Sequence, residues 1–129
     1  MKSYKLEIYQ RQLDAIKSGA KRVEIRTNNS YEAIQYDQLN KGDHIVFQVI
    51  SGPPFVGLDV IQPNALTVEV LGVRNYPDPK ALLMAEGLGV LSNLSDSIDE
   101  GVELLYSFHE YKEMIPIHGI FAIEIRVIE

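Results

Sequence analysis

Gly19, Lys21, Glu24 and Arg26 stand in the spacing G-x-K-x-x-E-x-R, within the run SGAKRVEIRTN from Ser18 to Asn28. An ammonium and a guanidinium donate hydrogen bonds to phosphate or carbonyl oxygen, and a carboxylate accepts from an exocyclic amine or an activated water. Such a set suits a nucleotide or a nucleobase. Glu24 and Arg26 are two apart and share one face of an extended strand. Lys21 has the opposite parity and joins them only if the chain twists or bulges where the strand begins. The same run also reads as a strand with one solvated face, because Val23 and Ile25 are its only large apolar side chains. In that case the charges are surface pairs of little energetic weight.

The flanking elements decide where these heads point. Tyr4, Leu6 and Ile8 alternate with Lys5 and Glu7, which predicts a strand from Tyr4 to Tyr9. QRQLDAIKSG then places Leu13 and Ile16 three apart, so a helix ends at Ser18 with Gly19 as its left-handed cap. The motif follows as a second strand, with Arg22, Glu24 and Arg26 on a polar face and Val23 and Ile25 toward the core. The polar segment from Tyr31 to Leu39 has room for a short helix. NKGD turns the chain into HIVFQVI, a nearly continuous apolar run expected as a central strand from His44 to Ile50. SGPPFVGLDVIQPNA carries three prolines yet also Phe55, Val56, Leu58, Val60 and Ile61, and is expected to form a packed flap. LTVEVLGV supplies another strand. Asp78 and Pro79 read as the N-cap and first position of a helix, and Ser97 to Glu100 as a capping box opening one that carries Val102, Leu105 and Phe108. In HGIFAIEIRVIE, Phe121, Ile123, Ile125 and Val127 alternate with Glu124 and Arg126 as a closing strand.

Composition narrows the classes. The chain has 129 residues, 46% hydrophobic and 23% charged, which fits one globular domain over residues 1–129. The absence of cysteine removes disulfides, thiolate nucleophiles and cysteine-bound zinc. A formal charge of −6 and a pI near 5.0 oppose non-specific coating of nucleic acid, so any RNA contact has to be local. No apolar run is long enough to span a bilayer and MKSYKLEIY lacks a secretory h-region, which leads us to expect a cytoplasmic protein with no membrane partner. Strands outnumber helices and nothing repeats at a fixed period, so the expected fold is α+β, a small barrel or strongly curved sheet with helices at its ends.

The G-x-K-x-x-E-x-R string, directly after a helix and at the start of a strand, resembles the hallmark of the ASCH domain family, a branch of the PUA-like superfamily. QRQLDAIKSG is similar to that family's first helix, KGDHIVF to its Gly-Asp turn and following strand, and HGIFAIEI to its last strand. The flap and the region from Tyr76 to Asp96 match in outline. The resemblance implies a PUA-like small mixed β-barrel of about five to six strands with about two to four flanking helices. It also implies a cleft that takes RNA, a nucleotide or a modified nucleoside, with Gly19, Lys21, Glu24, Arg26 and Tyr76 as ligand-binding residues and no cofactor or metal. Some small ASCH proteins are amidohydrolases acting on N4-acetylcytidine through a lysine base, a threonine nucleophile and a glutamate acid. This sequence keeps the lysine as Lys21 but has Glu24 where those enzymes carry the threonine. That mechanism does not carry over directly, although Glu24 could activate water and Glu86 in LLMAEGLG matches the acid by position. If the protein is an enzyme, its catalytic set is therefore Lys21, Glu24 and Glu86. An apolar setting beside Met84 or Leu88 would raise the pKa of Glu86. A third alternative is a protein-interaction module acting through the apolar flap at 53–61.

Other candidates are weaker. His109, Glu110 and Glu113 form H-E-x-x-E without the second histidine of a zinc protease helix. His44 and His118 are expected to cap or pack, Ser18 to end a helix and Thr27 a strand. The tyrosines at 31, 36, 76, 106 and 111 could stack on a base but are expected mainly at core margins, with Tyr76 at the cleft rim.

Overall fold

The computed structural model describes residues 1–29, 34–50, 60–91, 96–108 and 110–128. Along the chain run β1 (Ser3–Tyr9), α1 (Gln10–Ser18), β2 (Val23–Arg26), β3 (His44–Ile50), β4 (Val60–Tyr76), α2 (Pro79–Glu86), α3 (Ile98–Ser107), α4 (Tyr111–His118) and β5 (Ile120–Val127). Short 3₁₀ turns occupy Tyr36–Gln38 and Leu88–Leu91.

The five strands form one curled sheet in the order β1-β3-β4-β5-β2, a half-barrel consistent with a small PUA-like barrel with flanking helices. β1 runs parallel to β3 and the remaining neighbours are antiparallel. Alternation along the strands feeds two cores. Leu6, Ile8, Phe47, Val68, Phe121 and Ile123 pack on one face with Leu13 and Ile16 of α1. On the other face Ile25, Ile120 and Ala122 meet Leu82, Leu83, Leu105 and Ile115 from α2, α3 and α4.

Local signals account for several boundaries. α1 ends where Gly19 turns to φ 85°, its N–H bonding the Ile16 carbonyl at 3.1 Å. Asp78 accepts from the Ala81 N–H at 2.8 Å with Pro79 at the first helical position, and Ser97 accepts from the Glu100 N–H at 3.1 Å. β3 is an interior strand, as its apolar run requires.

Two expectations need correction. Residues 51–59, most of the expected flap, lie outside the described residues, while Val60 to Ala65 belong to β4 rather than to a flap. There Val60 and Ile61 are exposed and not packed. Pro63, which has no N–H to give a ladder, is passed at a β-bulge. The Gln48 side chain substitutes for backbone at that point, accepting from the Asn64 N–H at 2.9 Å and donating to the Val46 carbonyl at 3.1 Å. The second correction is α4, a helix the sequence reading lacks because Pro116 interrupts its pattern and Glu110 enters it at φ 66°. Of the two readings left open for β2, the solvated face does not hold for Glu24 and Arg26, which are buried, while Arg22 is exposed. Of the expected helix between Tyr31 and Leu39, Tyr36–Gln38 is a 3₁₀ turn, and 31–33 lie outside the described residues. Among the described residues no helix is long and apolar enough to cross a membrane.

Candidate ligand-binding site

β1 and β2 are the two outer strands of the sheet, and the curl brings them to opposite sides of a seam. In the β2–β5 register Glu24 lies opposite Ile123 and Arg26 opposite Phe121, both residues of the inner core. Glu24 and Arg26 therefore point into the half-barrel, beside the seam. Lys21 precedes the first residue of β2, so strand parity does not govern it. Its backbone N–H bonds the Ala15 carbonyl at 3.0 Å, tying it to α1 and bringing its ammonium to 3.2 Å from Glu24 Oε1.

The three heads converge. Lys21 and Glu24 are each 6% exposed and Arg26 9%, which is rare for such side chains unless they are paired. Arg26 gives Glu24 Oε2 two hydrogen bonds, from Nη2 at 2.9 Å and Nε at 3.2 Å. The same Nη2 donates to the Glu7 carbonyl of β1 at 2.8 Å, so this guanidinium spans the seam between the two edge strands. Lys21 Nζ also reaches the Val90 carbonyl at 3.5 Å. Burial is the largest single influence on Glu24 and pushes its pKa up. The neighbouring Lys21 and Arg26 charges and their hydrogen bonds together outweigh burial and hold the carboxyl at about 2.

A pocket of about 190 Å³ opens on this triad. Lys21, Glu24 and Arg26 form its polar end, Glu7, Tyr9 and Gln12 contribute from β1 and α1, and Val90, Leu91, Leu104, Leu105, Phe108 and Tyr111 form an apolar wall. Phe108 and Tyr111 meet edge to face, 5.4 Å between centroids at 85°. Of these wall residues the sequence points only to Tyr111, as one of five tyrosines able to stack on a base. The usable signal was the Phe108 and Tyr111 pair flanking the start of a helix, hidden because that helix went unread.

Two expected site residues lie elsewhere. The Glu86 side chain accepts from Arg74 Nε at 2.6 Å, from Arg74 Nη2 at 2.9 Å and from the Tyr76 hydroxyl. In register, Arg74 lies opposite Ala122, on the helix-covered face, whereas Glu24 points to the inner one. Neither Glu86 nor Tyr76 lines the pocket, and the sheet separates them from the triad. The Glu86 pKa is lowered rather than raised, chiefly by the Arg74 hydrogen bonds. Gly19 caps α1 and is absent from the pocket lining. Thr27 is fully buried and its hydroxyl donates to the Gly119 carbonyl at 2.7 Å, while Ser18 closes its own helix. Tyr36 is a core residue. His109 lies outside the described residues, among which no group of three or more side chains could hold a metal ion.

The triad has a measurable pH signature. Glu24 has a folded value of about 2 against an ordinary glutamate value of 4.5. Its ionised form therefore stabilises the fold fully above pH 4.5, and this contribution disappears as pH falls toward 2. The loss should amount to about 3 kcal/mol. Denaturant midpoints measured from pH 6 to 2 should fall along this limb, and Glu24→Gln should flatten it.

No family model matches the sequence, and no curated protein matches it. Among solved structures the chain is similar to the hypothetical protein PH0355, with 28% identity over 98% of this chain and 99% of that one and a TM-score of 0.74. It is also similar to protein PF0455 from Pyrococcus furiosus, with 26% identity over 98% of both chains and a TM-score of 0.66. Both likenesses run nearly end to end.

Proposed function

We propose that this chain is an ASCH-type domain that binds a nucleotide, a modified nucleoside or a short RNA element in the seam pocket lined by the G-x-K-x-x-E-x-R motif. The observation that carries this reading is the convergence of Lys21, Glu24 and Arg26, all nearly buried, at one end of a pocket whose other wall is apolar and partly aromatic. A heterocycle with exocyclic oxygens has that same division, a flat apolar body and a polar edge. At about 190 Å³ the pocket is smaller than the roughly 300–1,000 Å³ of typical drug-sized sites, so it suits one heterocycle rather than a length of duplex. The overall charge of −6 agrees with a local contact in place of broad attraction to a polyanion.

Binding is favoured over the hydrolytic alternative. A carboxylate held ionised down to about pH 2 is a weak general base, and Glu86 is committed to Arg74 and Tyr76. Calorimetric titration with a panel of nucleosides, N4-acetylcytidine among them, and their 5′-monophosphates tests this. At least one should bind, Lys21→Ala should weaken it about tenfold or more, and N4-acetylcytidine should stay intact. Absence of binding across the panel refutes the reading, and release of cytidine lost in Lys21→Ala would replace it with the enzymatic one.

A further inference from the structure

The Glu24 carboxylate is already fully used. Oε1 takes the Ile25 N–H at 3.2 Å and the Lys21 ammonium at 3.2 Å. Oε2 takes Arg26 Nε at 3.2 Å and Nη2 at 2.9 Å. A carboxylate offers about four lone-pair positions, so none is left for a donor on a ligand. Lys21 is the opposite case. It has three N–H donors, with Glu24 taking one and the Val90 carbonyl, at a long 3.5 Å, another. The Lys21 side chain is 6% exposed and lines the pocket, and its ammonium has no third partner among the described residues.

The β1 edge adds a second donor. The His44 N–H bonds the Lys2 carbonyl at 2.8 Å, which directs the even-numbered backbone groups of β1 toward β3. The Glu7 carbonyl accordingly faces the seam, where Arg26 reaches it, and the Glu7 N–H lies on that same side. The Glu7, Tyr9 and Gln12 side chains also line the pocket and are half-buried, where Lys21, Glu24 and Arg26 are nearly fully buried.

We infer that the buried end of this pocket is a donor-only site, in which Lys21 Nζ binds an acceptor oxygen of the ligand and Glu24 acts as a positioning residue that holds the ammonium. This deepens the nucleoside reading and rests on the same pocket. The recognised chemistry is a carbonyl, carboxylate or phosphate oxygen attached to a flat apolar body that packs against Leu91, Leu104 and Phe108. An exocyclic amine aimed at Glu24 finds no lone pair.

Methyl and lysine-ammonium NMR on the full chain tests this with uridine, uridine 5′-monophosphate, benzoate and phenyl phosphate as acceptor probes and benzylammonium as the donor probe. The acceptor probes should shift the methyls of Leu91 and Leu104 and the Lys21 Nζ resonance, and benzylammonium should shift neither. Equal affinity for uridine and its monophosphate identifies a ring carbonyl as the acceptor, while about tenfold tighter monophosphate binding identifies the phosphate. Lys21→Met should cost about tenfold or more in uridine affinity. Glu24→Gln should broaden the Lys21 ammonium signal and weaken uridine without making benzylammonium bind. Benzylammonium binding to the unmodified protein and lost in Glu24→Gln would overturn the inference, as would uridine binding unchanged in Lys21→Met. Uridine and its monophosphate failing while benzoate or phenyl phosphate binds would refute the nucleoside reading and keep the donor-only site. Silence from every acceptor probe refutes both.

Discussion

Glu24→Ala should lower the unfolding free energy by about 3–5 kcal/mol, read as a shift of the denaturant midpoint at neutral pH. The cost comes from what remains behind. Lys21 and Arg26 would stay buried with their shared carboxylate gone, and the Ile25 N–H would lose its acceptor as well. A buried ion cluster is nevertheless weak evidence that its charges exist for stability, since apolar side chains of similar volume often fold as well or better. The triple replacement Lys21→Met, Glu24→Leu and Arg26→Met should therefore regain much of what Glu24→Ala loses, while abolishing ligand binding. If the triple variant is instead the least stable of the set, the cluster serves mainly to close the seam through the Arg26 bond to the Glu7 carbonyl.

Gly119→Ala should cost about 2–5 kcal/mol. Gly119 sits at φ 77°, ψ −169°, a region open to glycine almost alone. A Cβ there would stand 2.6 Å from the Tyr76 carbonyl oxygen and 2.8 Å from Asn75 Nδ2. The first of these is backbone of β4 at its pairing with Ile120, so relief means pulling β5 away from its neighbour. The Thr27 hydroxyl bond to the Gly119 carbonyl would be strained in the same movement. Gly19→Ala is the matched control: φ is 85°, yet nothing lies within 4 Å of the added carbon. It should cost about 1 kcal/mol, the conformational penalty alone. Thermal or denaturant unfolding of the two variants side by side separates collision from backbone conformation.

Sequence legibility followed the range of the interactions. Gly19, Asp78 and Ser97 announced their helix ends because a cap is complete within four residues of chain. The alternation of Phe121, Ile123 and Ile125 was equally plain, since a strand face repeats every second residue. β2 left two readings open for the opposite reason. Arg22, Glu24 and Arg26 alternate as a solvated face would, and only the curl of a sheet built from distant segments turns Glu24 and Arg26 inward. The motif spacing gathered Lys21, Glu24 and Arg26 correctly, but Glu86 and Tyr76 were assigned by position along the chain, which does not reveal that a sheet intervenes. Pro63 and Pro116 concealed a strand and a helix because tertiary contacts overrode a local veto: the Gln48 amide beside the first, and burial of Tyr111 and Ile115 around the second.

The placement of β2 has a bearing on biosynthesis. Among the described residues its strand neighbour is β5, so β2 must wait for a segment made long after it before either can zip together. Loop closure over such a separation is entropically slow. On the ribosome, β1, α1 and β3 can begin to associate while the seam is still without its second bank. The seam pocket is thus completed only after residues 120–127 have emerged from the exit tunnel.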